Sequence, residues 1–250
     1  MSVSLTQKVS PFQGAHALET LQAFVERRGP TASETGVAAV QCLQDEAVWA
    51  AGRSGLFSPD LALAACAAVK GGSPTWAELE GFAFTEVEPA AAWLIEYRDG
   101  FRATLLLLNG FVSGNGYAAR VRGVGGGSRI EACKSSMHGG LVQEPGEPSL
   151  YSGKYPGTAQ GPFSHFAYLA RNVEEMMVTG VPSTPVERTL LSSGVLEAAL
   201  ASRSEGGRRI VTDWLDVRYK RERDLPPYFP LGPEPSGAAI RPFPPGGARL

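Results

Sequence analysis

The first periodic signal runs from His16 to Arg28. Leu18, Leu21 and Val25 recur at helical spacing, while His16, Glu19, Ala23 and Arg27 take the opposite side. This predicts a helix over 16–28, ended by Gly29-Pro30. Residues 37–43 read as a strand. Two short helices follow: one carries Ala47, Val48 and Trp49, and the other opens on Ser58 as N-cap with Pro59 in its first turn. Gly71-Gly72-Ser73-Pro74 closes that region.

The middle of the chain switches to period two. Residues 92–98 and 101–108 flank Asp99-Gly100, a pair that predicts a two-residue type I′ hairpin with both turn residues at positive φ. Leu105 to Leu108 breaks the alternation, so this strand is expected to be covered on both faces. Residues 117–122 and 129–135 make a second strand pair across Gly125-Gly126-Gly127. Neighbouring antiparallel strands argue for an α+β layer, not a doubly wound sheet.

Residues 139–162 are rich in Gly and Pro. The helix expected after them places Phe166, Ala170, Val173 and Met177 on one face, with Met176-Met177 as core filler. Thr184-Pro185-Val186-Glu187 fits a capping box opening a further helix, and Gly206-Gly207 fits its stop. Residues 210–219 read as a closing strand. The first fifteen residues read as irregular. Eight of the nineteen prolines fall after Lys220, so 221–250 is expected to be a disordered tail.

Composition narrows the function classes. A net charge of -2 leaves no basic footprint for nucleic acid or an anionic membrane. No apolar run reaches the roughly 18–20 residues of a membrane span, and the N-terminus carries no secretory h-region. Three cysteines without CxxC spacing suit a reducing compartment, so a cytoplasmic protein is expected.

Three groups of residues could carry chemistry. His16 and Glu19, one helical turn apart, could address a polyol hydroxyl, His accepting the proton and Glu orienting it; the other reading is a solvent-facing helix start, with Glu19 favoured by the positive N-terminal dipole. Lys134 and His138 bracket Ser135-Ser136 at a strand end, where binding groups collect, or else form an exposed loop. His165, Tyr168 and Asn172 share a helical stripe opposite the apolar one, as the outer face of any amphipathic helix would. Three scattered histidines make a zinc site unexpected.

Several segments, HALETLQAFVERR (16–28), ETGVAAVQCLQDEAVW (34–49), SSMHGGLVQEP (135–145) and the run from Arg171 to Tyr219 that includes VERTLLSSG, resemble the C-terminal domain of oxidoreductases of the glucose-fructose oxidoreductase / inositol dehydrogenase / MocA family (Gfo/Idh/MocA). The resemblance covers residues 16–220. It implies an open, mostly antiparallel sheet with helices on one face, the other face serving homo-oligomer contacts. In complete members this domain follows a Rossmann domain that binds NAD(P), and hydride passes between nicotinamide and a sugar, cyclitol or similar polyol. His16 takes the place of the family's active-site histidine.

Three departures accompany the resemblance. No G-x-G-x-x-G sits on a strand-to-helix turn, so no cofactor site is expected in this chain alone. The Glu-Lys-Pro segment that supplies a lysine in many relatives is absent. Phe12 stands where family members often carry Asp. The expected function is thus the substrate-binding and oligomerisation portion of such an enzyme, incomplete for catalysis alone. One alternative is a non-catalytic sheet domain that associates through the Leu105–Leu108 strand and its neighbours. Another is a coding sequence that starts too late, with a Rossmann domain upstream.

Overall fold

The computed structural model describes residues 2–6, 11–26, 28, 33–85, 89–112, 114–122, 127–135, 141–142, 173–182 and 184–220. The expected tail after Lys220 lies outside them. The chain is α+β, built on a mixed, mostly antiparallel open sheet of eight strands.

The chain enters as β1 (Ser2–Thr6), which pairs parallel with β5 (Arg102–Leu107) and antiparallel with β6 (Asn115–Arg122). The expectation of an irregular start is therefore corrected. Five residues of alternation are too short a local signal; the slot between β5 and β6 makes the strand. Next comes α1 (Pro11–Val25), which starts before His16 with proline in its first turn. Gly14 lets this helix close on the sheet, since a Cβ there would lie 2.4 Å from the Trp93 ring.

A two-residue strand, β2 (Ser33–Glu34), precedes β3 (Val37–Gln44). Helices α2 (Glu46–Arg53) and α3 (Pro59–Lys70) follow as the sequence suggests, Ser58 accepting the Leu61 N–H. Helix α4 (Trp76–Glu80) adds to the expected elements, Thr75 and Glu78 capping it reciprocally. Strands β4 (Ala91–Tyr97) and β5 form the expected hairpin with a different turn. Tyr97 N–H donates to the Phe101 carbonyl at 2.9 Å, and of the turn residues only Gly100 has positive φ. This is a three-residue loop ending on an αL glycine, and the Asp99 carboxylate accepts the Phe101 N–H at 3.0 Å.

Beyond β6 come β7 (Ser128–Ser135) and β8 (Leu141–Val142). The segment 173–179 is helical (α5); its Val173 and Met177 are exposed where burial is expected, while Phe166 and Ala170 of the same stripe lie outside the described residues. The long α6 (Val186–Ser204) starts one residue later than the capping box requires, after Pro185 and without a side-chain cap. Position three of its first turn is consequently Arg188, not Glu187. Gly206 and Gly207 end it at positive φ, the Gly207 N–H reaching the Ser202 carbonyl at 2.8 Å.

The expected closing strand is broken. Only β9 (Ile210–Val211) joins the sheet; a 3-10 turn (Asp213–Leu215) follows, and β10 (Tyr219–Lys220) pairs with β2 separately. Thr212 causes the break by donating its hydroxyl to the Val37 carbonyl at 2.9 Å, while Leu215 buries against Gly194.

The sheet order is β8-β7-β6-β1-β5-β4-β3-β9. Helices cover both of its faces, which corrects the one-sided cover implied by the resemblance. Trp93, Ile95, Leu105 and Leu107 pack with α1 and α6; Ala92, Leu94, Leu106 and Leu108 pack with α2, α3 and α4. The unbroken leucine run demands this, because its two faces are equally apolar. Leu105 to Leu108 are at most 1% exposed, so this strand has no outer face to offer a second copy.

Candidate functional site

Helix α1 points two polar columns at different targets. His16 is exposed on its first half. Glu19, a turn later, holds the Arg188 guanidinium and the Ser192 hydroxyl of α6, and its carbonyl accepts from Arg188 Nη2 at 2.6 Å. Glu19 thereby fixes the helix that carries His16 onto α6.

Below it the polar contacts run inward. Arg188 Nε donates to Glu26 at 3.0 Å, and the Tyr219 hydroxyl donates to the same oxygen at 3.0 Å. Gln22 Nε2 donates to the Tyr219 hydroxyl at 2.8 Å and to Glu34 at 2.7 Å, and Gln22 Oε1 accepts from Tyr97 at 3.0 Å. Glu34 is the deepest anion, its side chain 0% exposed. It takes two bonds from Arg28 at 2.7 and 2.9 Å and the N–H groups of Thr35 and Gly36. Arg28 also donates to Asp99 at 2.8 Å and stacks over Tyr97.

The electrostatics follow from burial and pairing. Burial works against the charge of Arg28, but Glu34 and Asp99 outweigh it and hold the guanidinium firmly protonated. Arg188 is likewise held up by Glu19 and Glu26 against its own burial. Burial, reinforced by neighbouring carboxylates, pushes the Tyr97 and Tyr219 phenols well above their ordinary range. Their hydroxyls are thus donors, not bases. Burial also pushes the thiols of Cys42 and Cys133 up to about 11 and that of Cys66 up to about 12, which removes them as nucleophiles.

Of the sequence candidates, His16 and Glu19 stand on α1, and Lys134 stands on β7 in register with Gly116 of β6. His138, His165, Tyr168 and Asn172 fall outside the described residues. A cavity of about 50 Å³ by Gln41, Glu96, Arg102 and Thr104 is a few waters in size. Among the described residues no three His, Cys, Asp or Glu side chains are grouped to hold a metal ion, and no helix is long and apolar enough to cross a membrane.

Sequence reading missed Gln22, Glu26, Arg28, Glu34, Arg188 and Tyr219. One local signal was present: Gln22 and Glu26 continue the Leu18 column at four-residue steps, so two polar side chains sit where the buried stripe runs. Their partners lie up to 197 residues away. No family model, curated protein or solved structure matches the chain.

Proposed function

We propose that this chain is the substrate-binding portion of a two-part NAD(P)-dependent oxidoreductase of the glucose-fructose oxidoreductase / inositol dehydrogenase / MocA type, acting on a sugar, cyclitol or similar polyol. The observation that carries the reading is the exposed His16 on a helix clamped in place through Glu19, Arg188 and Ser192. A rigid mount is what a proton acceptor for a substrate hydroxyl requires. The mostly antiparallel open sheet agrees with the same reading.

The residues present do not fit a dinucleotide. The strand-to-helix unit β1–α1 has Gln7-Lys8-Val9-Ser10 in place of a glycine turn, and Pro11 removes an N–H donor from the helix start. The part of this chain is to bind the polyol and take a hydroxyl proton at His16. In this reading self-association falls to the β7 end of the sheet, where Arg129, Glu131 and Ala132 are exposed.

The test is a melting-temperature screen of the full chain against neutral polyols, with NADH fluorescence titration alongside. A polyol that binds the native state raises stability by about 2.7 kcal/mol at a hundredfold excess over Kd, and His16→Ala weakens that response. Micromolar NADH binding by the chain alone would overturn the assignment.

A further inference from the structure

Asn109 is the anomaly of the apolar core. It is 6% exposed, and neither its Oδ1 nor its Nδ2 has a hydrogen-bond partner. A buried amide left unpaired is a standing cost. The usual local duties of asparagine do not account for it. The turn that follows β5 is closed by the backbone, Phe111 and Val112 N–H donating to the Leu108 carbonyl at 3.2 and 3.4 Å. Its left-handed residue is Gly110, at φ 85°, not Asn109. Leu107, Leu108, Phe111 and Val112 around it are all buried, so a leucine would suit the place better.

Its position is informative. Strands β1 and β5 are parallel neighbours in the middle of the sheet, with Thr6 opposite Leu107. Asn109 lies two residues past the carboxyl end of β5, and α1, with His16, leaves from the carboxyl end of β1. Adjacent strands lie about 4.8 Å apart. The carboxyl ends of adjacent parallel strands are where open sheets collect ligands.

We propose that the Asn109 carboxamide is a binding group for the polyol, pairing with two adjacent hydroxyls of a neutral substrate. The inference rests on the polyol reading above and narrows it. A carboxamide presents a donor and an acceptor side by side. A vicinal diol matches both, because each hydroxyl can donate or accept. A carboxylate matches only the donor and meets Oδ1 with like polarity, so a vicinal diol is preferred over a carboxylate.

The experiment compares wild type with Asn109→Leu, using myo-inositol, glucose and the diol-free dicarboxylate glutarate as probes in thermal melts and calorimetry. Without ligand, Asn109→Leu melts higher than wild type; with the neutral polyol that stabilises wild type, its affinity falls at least tenfold. In wild type the Asn109 side-chain NH₂ resonances move on titration with that polyol and stay in place with glutarate. Equal polyol affinity in Asn109→Leu, with unmoved Asn109 resonances, overturns this inference and leaves the polyol reading standing. A wild type that responds to none of the neutral polyols overturns both.

Discussion

On the α1–α6 face of the sheet, the apolar packing is interrupted by a connected polar set that runs from partly exposed Glu19 through buried Glu26, Gln22 and Glu34 to exposed Asp99. On the α2–α4 face the packing is aromatic. Trp49 meets Trp76 edge-on at 5.9 Å, and Phe82 meets Phe84 and Phe111 at 4.8 and 5.4 Å. Both faces bury leucines of the same strand. The difference lies in what must be matched. Apolar contacts ask for volume, whereas the polar set asks for direction and charge, so it dictates where α1, α6 and the last described residues meet.

The sharpest way to break this comparison is Glu34→Ala. It removes the buried carboxylate partner of Arg28, whose side chain is 10% exposed, and leaves one Gln22 amide N–H and two backbone N–H groups without their acceptor. The expected loss is about 3–5 kcal/mol in urea unfolding. Glu34→Gln keeps the volume and still loses most of that, because the charge is gone. Pairing Glu34→Leu with Arg28→Met recovers part of the loss only, since the Thr35 and Gly36 N–H groups remain.

The opposite face behaves otherwise. Leu106→Ala costs about 2–5 kcal/mol through the cavity it leaves, yet Leu106→Met, which conserves volume, costs under about 1.5 kcal/mol. Equal losses for Glu34→Gln and Leu106→Met would abolish the distinction between the faces.

The same contrast sets what the sequence made legible. Strands β3, β6 and β7, helices α2 and α3, and the β4–β5 hairpin are written in local period and turn residues, and Leu105–Leu108 announced cover on both sides. The α+β class was readable from those elements. Other features were settled by distant partners. β1 exists because β5 and β6 leave a slot; Thr212 stops the last strand by turning its hydroxyl to Val37; Arg188 lies in the first turn of α6 and reaches Glu19 and Glu26. Of the candidate site, the polarity of His16 and Glu19 was visible, but that Glu19 clamps α6 was not, because 169 residues separate it from Arg188.

A smaller effect separates the faces by pH. Folding holds the Tyr97 and Tyr219 phenols above their ordinary 10.0. The unfolded chain therefore releases those protons first as pH rises. The contribution of these phenols is complete below about pH 10 and falls above it, since the native state then binds more protons than the unfolded one. The buried thiols of Cys42 and Cys66, shifted up from 9.0, act with the same sign from about pH 9. Tyr219→Phe costs about 1.5–3 kcal/mol at neutral pH, as a hydroxyl bonded to a carboxylate is lost. It also flattens the alkaline fall, measured as melting temperature against pH from 8 to 12. An unchanged alkaline slope in Tyr219→Phe would count against the buried-phenol account.

The smallest effect isolates burial from chemistry. Arg129 and Glu131 on β7 form an arginine–glutamate pair like Arg28 and Glu34, but their side chains are 68% and 49% exposed. Water solvates both partners before and after the pair is broken, and no backbone donor depends on either carboxylate oxygen in the contacts of this pair. Arg129→Ala is therefore expected to change stability by less than about 0.5 kcal/mol. Added salt should leave the cost of Glu34→Ala almost unchanged, because counter-ions do not reach a side chain with no exposed surface, and should erase whatever Arg129→Ala shows. A large, salt-insensitive loss at Arg129 would mean that β7 is covered in solution, and would direct attention to self-association at that end of the sheet.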